Sequence, residues 1–220
     1  MDTLMLLGKK VGQSTFFEDS GRAMHVTILQ VGPCVVIQKK TNEIDGYSAL
    51  QLGLDERKEK RTSKPLQGHF KKAGATPKQF LGEMLITNPD QYQVGQLLTV
   101  ENFKDVIFVD VAGISKGKGF QGVVRRHGFR GGRNSHGSMF HRAPGGIGAS
   151  SDPSRVFPGT RMPGRMGNQK TTILNCRVLK VDIDNHLLFV KGPVPGANQG
   201  LVWIRPSIKK TPKEQGVKNA

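Results

Sequence analysis

The sequence predicts a mainly β protein: an antiparallel β-barrel formed by both ends of the chain, with one long irregular basic loop inserted and a few short helices. Three observations carry this expectation. Short segments in which apolar residues alternate with polar or small ones recur along both flanks, separated by Gly, Pro, Asn and Asp, as in antiparallel strands with one buried face. Hardly a segment keeps helical periodicity for more than about ten residues. The third observation is charge. The 220 residues hold 33 Lys plus Arg against 17 Asp plus Glu, a formal net of +16. From Ser115 to Lys170 there are eleven basic side chains and one acid, Asp152, whereas the remaining 164 residues hold 22 basic and 16 acidic groups. A surface charged so unevenly seeks a polyanion.

The elements follow in order. Met24-His25-Val26-Thr27-Ile28 and Leu50-Gln51-Leu52-Gly53-Leu54 alternate and are strands. Val35-Val36-Ile37 leads to Tyr47 through Thr41–Gly46, where Asp45-Gly46 favours the positive dihedrals of a hairpin turn. Pro65–Gly74 and Thr76–Met84 are expected as short helices. Val106–Val111 is a strand that feeds the basic segment, and Thr172-Ile173-Leu174 is the strand that receives it. Leu179, Val181 and Ile183 alternate with Lys180, Asp182 and Asp184, and Asp184-Asn185 turns the chain into His186–Val190, a second hairpin. The expected division is a barrel body of residues 1–114 and 171–208, an extended loop of 115–170, and a basic tail of 209–220.

The loop holds thirteen of the 28 glycines and four of the twelve prolines, the proportion of a chain without regular structure. Its apolar residues, Phe120 and Phe157 among them, stand singly with neither period. Such a stretch builds no core, so it is expected to gain its order from a partner. No apolar run approaches the ~18 residues of a membrane span, and Met1-Asp2-Thr3-Leu4 reverses the order of charge and apolarity in a secretory leader. Cys34 and Cys176, far apart and outside any C-x-x-C pair, are expected as buried thiols of a reducing cytoplasm.

Several chemistries can be weighed on the loop. Gly117-Lys118-Gly119-Phe120-Gln121-Gly122 fits G-x-G-x-x-G, but a dinucleotide fold needs a helix opening at the last glycine and an acid about 20 residues on. Further glycines follow instead, and position 142 is Arg142. His127, His136 and His141 lie among positive charges that oppose a metal ion. Ser135 and Ser138 lack the strand-turn-helix setting of a nucleophile. The expectation is therefore no catalytic residue, no metal, no cofactor and no small-molecule substrate.

Glycine and arginine together suit a phosphate chain. Glycine lets backbone lie where a β-carbon would collide, and arginine forks onto phosphate oxygens. Exposed Phe rings can stack on unpaired bases, and the imidazoles can stack likewise or bond phosphate oxygens. The candidate contacts are Lys116, Lys118, Phe120, Arg125, Arg126, His127, Arg130, Arg133, His136, His141, Arg142, Arg155, Arg161, Arg165 and Lys170. Folded RNA is favoured over DNA because no motif places a helix in a major groove. Arg57–Lys64 and the tail add peripheral charge. The rivals are an RNA-modifying enzyme or nuclease, which needs a buried acid or nucleophile beside the basic surface, and a DNA-compacting protein.

Gly8-Lys9-Lys10-Val11-Gly12, Gly68-His69-Phe70 with Ala73-Gly74, Ser115–Gly122, His141-Arg142 before Pro144-Gly145, Met166-Gly167-Asn168 and Phe189–Gly196 together resemble bacterial members of the universal large-subunit ribosomal protein family conventionally called L-three. The resemblance spans nearly the whole chain in order. It implies a barrel of the translation-protein type, cytoplasmic, on the surface of the large subunit among neighbouring ribosomal proteins. It also implies a loop threading large-subunit ribosomal RNA toward the peptidyl transferase centre, its tip near Gly137–Arg155, and an early role in subunit assembly. Catalysis in that family belongs to the RNA. Relatives often show Gly-Gln-Met-Gly where this chain has Gly164-Arg165-Met166-Gly167, one positive charge more.

Overall fold

The computed structural model describes residues 4–210. Strand β1 (Leu6–Phe17) grows from the apolar run at its start, and Leu6 and Leu7 are fully buried. β2 (Ala23–Val31) returns antiparallel with Met24, Val26 and Leu29 inward. Next come β3 (Cys34–Lys40), α1 (Asn42–Asp45), β4 (Ala49–Glu56), α2 (Lys64–Lys72), β5 (Lys78–Leu85), β6 (Leu97–Leu98) and β7 (Phe108–Ile114). The basic segment contributes β8 (Phe120–Gln121), α3 (Val123–His127) and β9 (Gly164–Arg165). β10 (Lys170–Asp182), β11 (Leu187–Lys191) and β12 (Leu201–Pro206) complete the chain.

Six strands pair antiparallel in a closed ring, β1-β12-β7-β10-β11-β2, so the two ends of the chain meet where Leu6 opposes Ile204. A second, four-stranded sheet has the order β5-β4-β3-β6. Leu7, Val36, Leu50, Leu52, Val111, Leu188 and Ile204 belong to one core shared by ring and sheet. Val35 and Ile37, on the other face of β3, pack with Phe70 and Ala73 from the α2 segment. Val35-Val36-Ile37 is apolar without alternation because both faces of its strand are covered.

Contacts divide the described residues into two units, 4–114 with 170–210, and 115–169. Lys170 falls in the first unit: it opens β10, opposes Ile114, and holds its ammonium 5.5 Å from the Trp203 ring centre. The tail beyond 210 lies outside the described residues.

One expectation is corrected. Thr76–Met84 is no helix. Its residues from Lys78 form β5, in which Phe80 and Met84 turn to the main core and Leu81 to the second cluster. Gly82 belongs to that strand because its backbone lies against a neighbour: a β-carbon there would sit 2.9 Å from Leu7 Cδ2 and 3.2 Å from Trp203 Nε1. The hairpin expected through Thr41–Gly46 is present: β3 and β4 pair antiparallel, the one-turn helix α1 connects them, and Gly46 (φ 78°) ends it with the expected positive dihedral.

Two buried polar groups fasten the ring. Lys10, 5% exposed, donates from Nζ to Val194 O at 3.0 Å and Gly196 O at 3.5 Å. Asp110, 2% exposed, accepts the Asn175 N–H at 2.9 Å and lies 3.5 Å from Arg205 Nε. Asn175 has φ 58° and stands where the β10–β7 register slips, so Asp110 satisfies the amide that this irregularity takes out of the ladder. Asp110→Ala leaves that amide unpaired beside an unopposed guanidinium and should cost about 2–4 kcal/mol, read as a lower denaturant midpoint at constant slope.

The cysteines are free and buried. Burial pushes the Cys34 thiol up to about 11 and raises Cys176 as well. Neither forms the reactive thiolate near neutral pH. A thiol-specific chromogenic reagent at pH 8 should therefore modify both cysteines in denaturant and neither in the folded chain.

Candidate nucleic-acid interface

Residues 115–169 begin as a narrow antiparallel stem. Ser115 N–H donates to Gln169 O (2.9 Å) and Asn168 N–H to Ser115 O (3.1 Å). Lys118 N–H donates to Met166 O and Met166 N–H to Gly119 O, both at 2.9 Å. The arms touch because Gly167 (φ 75°) has no side chain; a β-carbon there would collide with Lys116 O. Phe120 then opposes Arg165, and Gln121 opposes Gly164. Residues directly opposite in an antiparallel pair share a face. Phe120, 76% exposed, and the exposed Arg165 therefore form one outward pair: an apolar ring for a base beside a guanidinium for a phosphate.

α3 follows directly. The further glycines after Gly122 predict no helix there, yet one turn forms, with Gly122 as N-cap and Gly128 (φ 74°) as C-cap. This does not restore a dinucleotide site, since the strand before it is two residues long and pairs antiparallel to β9. Val123 of this turn is the only buried residue of 115–169 among the described residues. Arg125 points outward, with Nη1 3.4 Å from Gln121 Oε1. Arg126 and His127 turn inward and are half-buried. Arg126 Nη1 donates to Met162 O at 2.7 Å, and His127 Nε2 lies 3.1 Å from the same oxygen. A carbonyl only accepts, so that ring nitrogen carries the proton.

From Phe129 to Pro163 there is neither helix nor strand. One cross-link closes the outgoing side of this tip: Gly132 N–H donates to His141 O (3.1 Å), and His141 Nδ1 is 3.0 Å from Arg133 O. Arg155 lies over the Phe157 ring at 5.6 Å. Lys116, Lys118, Arg130, Arg133, His136, Arg142, Arg155 and Arg161 are all exposed, as is Met139, fully so. Ion pairs join Lys9 to Asp55, Lys40 to Glu83, Lys78 to Glu56 and Arg205 to Asp110; among the described residues none involves 115–169. The positive charge of the segment is therefore left without internal compensation.

The candidate residues thus sort into groups. Phe120 and Arg165 lie together on one face of the ribbon at the base, and Arg125 stands on the helical turn beside Gln121. The exposed cations of the tip are strung along irregular backbone. Arg126, His127 and His141 spend at least one polar atom on the segment's own carbonyls, and Lys170 belongs to the ring. Gln121, absent from the candidates, ties the outgoing arm to α3: its Nε2 donates to Lys118 O while its Oε1 faces Arg125. Nothing in a sequence marks a backbone carbonyl such as that of Met162 as an acceptor. Among the described residues no three His, Cys, Asp or Glu gather as a metal site, and no helix is long and apolar enough to cross a membrane.

A family model described as ribosomal protein L3 matches residues 87–186. The large ribosomal subunit protein uL3 of Petrotoga mobilis is 49% identical over 209 residues, covering 94% of this chain and 98% of that protein. The chain belongs to the ribosomal protein L3 family. The uL3 of Geotalea daltonii is 48% identical over 204 residues, covering 93% of this chain and 97% of its own. In this L3-family chain the stretch matched by the family model holds β7, the entire basic segment and β10, so the match includes the part with the least regular structure.

Proposed function

We propose that this L3-family chain is a structural constituent of the large ribosomal subunit that binds its ribosomal RNA and performs no catalysis of its own. One observation carries the reading: residues 115–169 hold ten basic side chains, none ion-paired among the described residues, around a single buried residue. A segment that buries so little apolar surface has little to stabilise it alone. Phosphates supply what it lacks, neutralising charge and filling the spaces between strings of glycine and arginine.

The closed ring serves as a barrel of the translation-protein type on the subunit surface, beside neighbouring ribosomal proteins in the cytoplasm. The extension runs into the RNA toward the peptidyl transferase centre and helps the subunit assemble early. The paired Phe120 and Arg165 meet one site, Arg125 on the neighbouring turn meets another, and the tip cations line a longer path. If each of the nine exposed basic groups of 115–169 meets one phosphate, log affinity falls with log salt at a slope of roughly −8 at most. The test is co-sedimentation. The chain should pellet with large subunits at one copy each and stay through a high-salt wash; loss in the wash, or equal affinity for duplex DNA in competition, would count against this role.

A further inference from the structure

The structure divides the arginines of the extension by task, and Arg126 stands apart. It is the one Lys or Arg of 115–169 that is not exposed, among the described residues. Its guanidinium bonds Met162 O at 2.7 Å, and the His127 ring bonds the same carbonyl from the next position. The guanidinium fits because residue 164 is glycine: a β-carbon there would lie 2.7 Å from Arg126 Nη1. We propose that Arg126 and His127 are positioning residues, a latch on Met162 that holds the returning arm against α3 and so fixes both Arg125 on the turn and the Phe120 and Arg165 pair on the ribbon before RNA arrives.

The physics favours a latch over a phosphate contact. A guanidinium held to a carbonyl through Nη1 loses that charge-assisted bond if it swings out to solvent to seek a phosphate. Two donors on one carbonyl fix two consecutive side chains of α3 and, through them, the turn that carries Arg125. The carbonyl belongs to Met162, two residues before β9, so the latch also sets where Arg165 emerges opposite Phe120. A surface held in advance avoids part of the ordering cost of binding. The inference rests on the RNA-binding reading above, and the experiment separates the two.

Three full-length variants are compared with wild type for binding to transcribed large-subunit ribosomal RNA over a range of salt. Arg125→Gln removes an exposed charge and should make the log-log slope less negative by about 0.9. Arg126→Gln removes a charge that meets no phosphate, and should weaken binding about fivefold to tenfold with the wild-type slope. Gly164→Ala alters no charge. Its β-carbon displaces only the end of a flexible side chain, so it should spare the backbone yet match Arg126→Gln in affinity and slope, and speed hydrogen exchange at the Lys118 and Met166 amides of the free chain. Fluorescence of Trp203 in the ring verifies folding. Wild type lacking a steep slope would overturn the RNA reading and this inference with it. With a steep wild-type slope, the latch alone is overturned if Arg126→Gln changes the slope as Arg125→Gln does, or if Gly164→Ala binds like wild type.

Discussion

Replacing Arg125, Arg130, Arg133 and Arg142 together with glutamine should weaken binding to large-subunit ribosomal RNA on the order of 100-fold at physiological salt and make the salt slope less negative by about 3 to 4. All four side chains are exposed and free of ion pairs among the described residues. Removing them takes no group out of a core, and the fold should lose less than about 0.5 kcal/mol per site. The affinity loss is thus separable from unfolding. Filter binding from low to high salt, paired with a denaturant titration, reads both quantities, and an unchanged slope would mean that these arginines face water in the complex.

Deleting residues 116–168 should have a larger effect on binding and a small one on the ring. Ser115 and Gln169 are joined by a 2.9 Å backbone hydrogen bond, so an Asn-Gly turn can close the gap between β7 and β10. Every member of both core clusters lies outside the deleted segment. The thermal midpoint should therefore stay within a few degrees of the full chain. The deleted stretch carries ten basic groups and one acid, so the formal charge falls from +16 to +7, and affinity for the RNA should fall about 1,000-fold or more. A truncated chain that no longer melts cooperatively would show that the segment contributes to the core after all.

These two experiments rest on features the sequence displays plainly. The hairpins at β3–β4 and β10–β11 follow from turn residues between short apolar runs, and β2 and β4 from an alternation that survives because much of one face is less buried. β5 misleads for the opposite reason. Leu81 and Met84 are buried on different sides, and Gly82 serves a close approach to Leu7 and Trp203, so the alternation is masked. The separate four-stranded sheet is not legible either, since strand partners are long-range facts that local periodicity does not contain.

In the extension, composition announces the charge and the lack of core but gives no side-chain direction. Arg125 and Arg126 are neighbours of one type, and only the helical turn at Val123–His127 sends one outward and the other onto Met162 O. His141 is similar: an exposed imidazole whose Nδ1 is held by Arg133 O. Lys170 reads as part of the basic run and proves to be the first residue of a ring strand, stacked on Trp203.

On the proposed RNA-binding reading, residues 129–163 owe their stability to RNA. Hydrogen exchange at the amides of residues 129–163 tests this most directly, in the free chain and in complex with large-subunit ribosomal RNA. With no helix or strand there and no buried residue, the free tip should exchange at rates close to those of an unstructured peptide, and the bound tip should be protected across its length. Slow exchange throughout the tip of the free chain, unchanged when RNA is added, would contradict the claim.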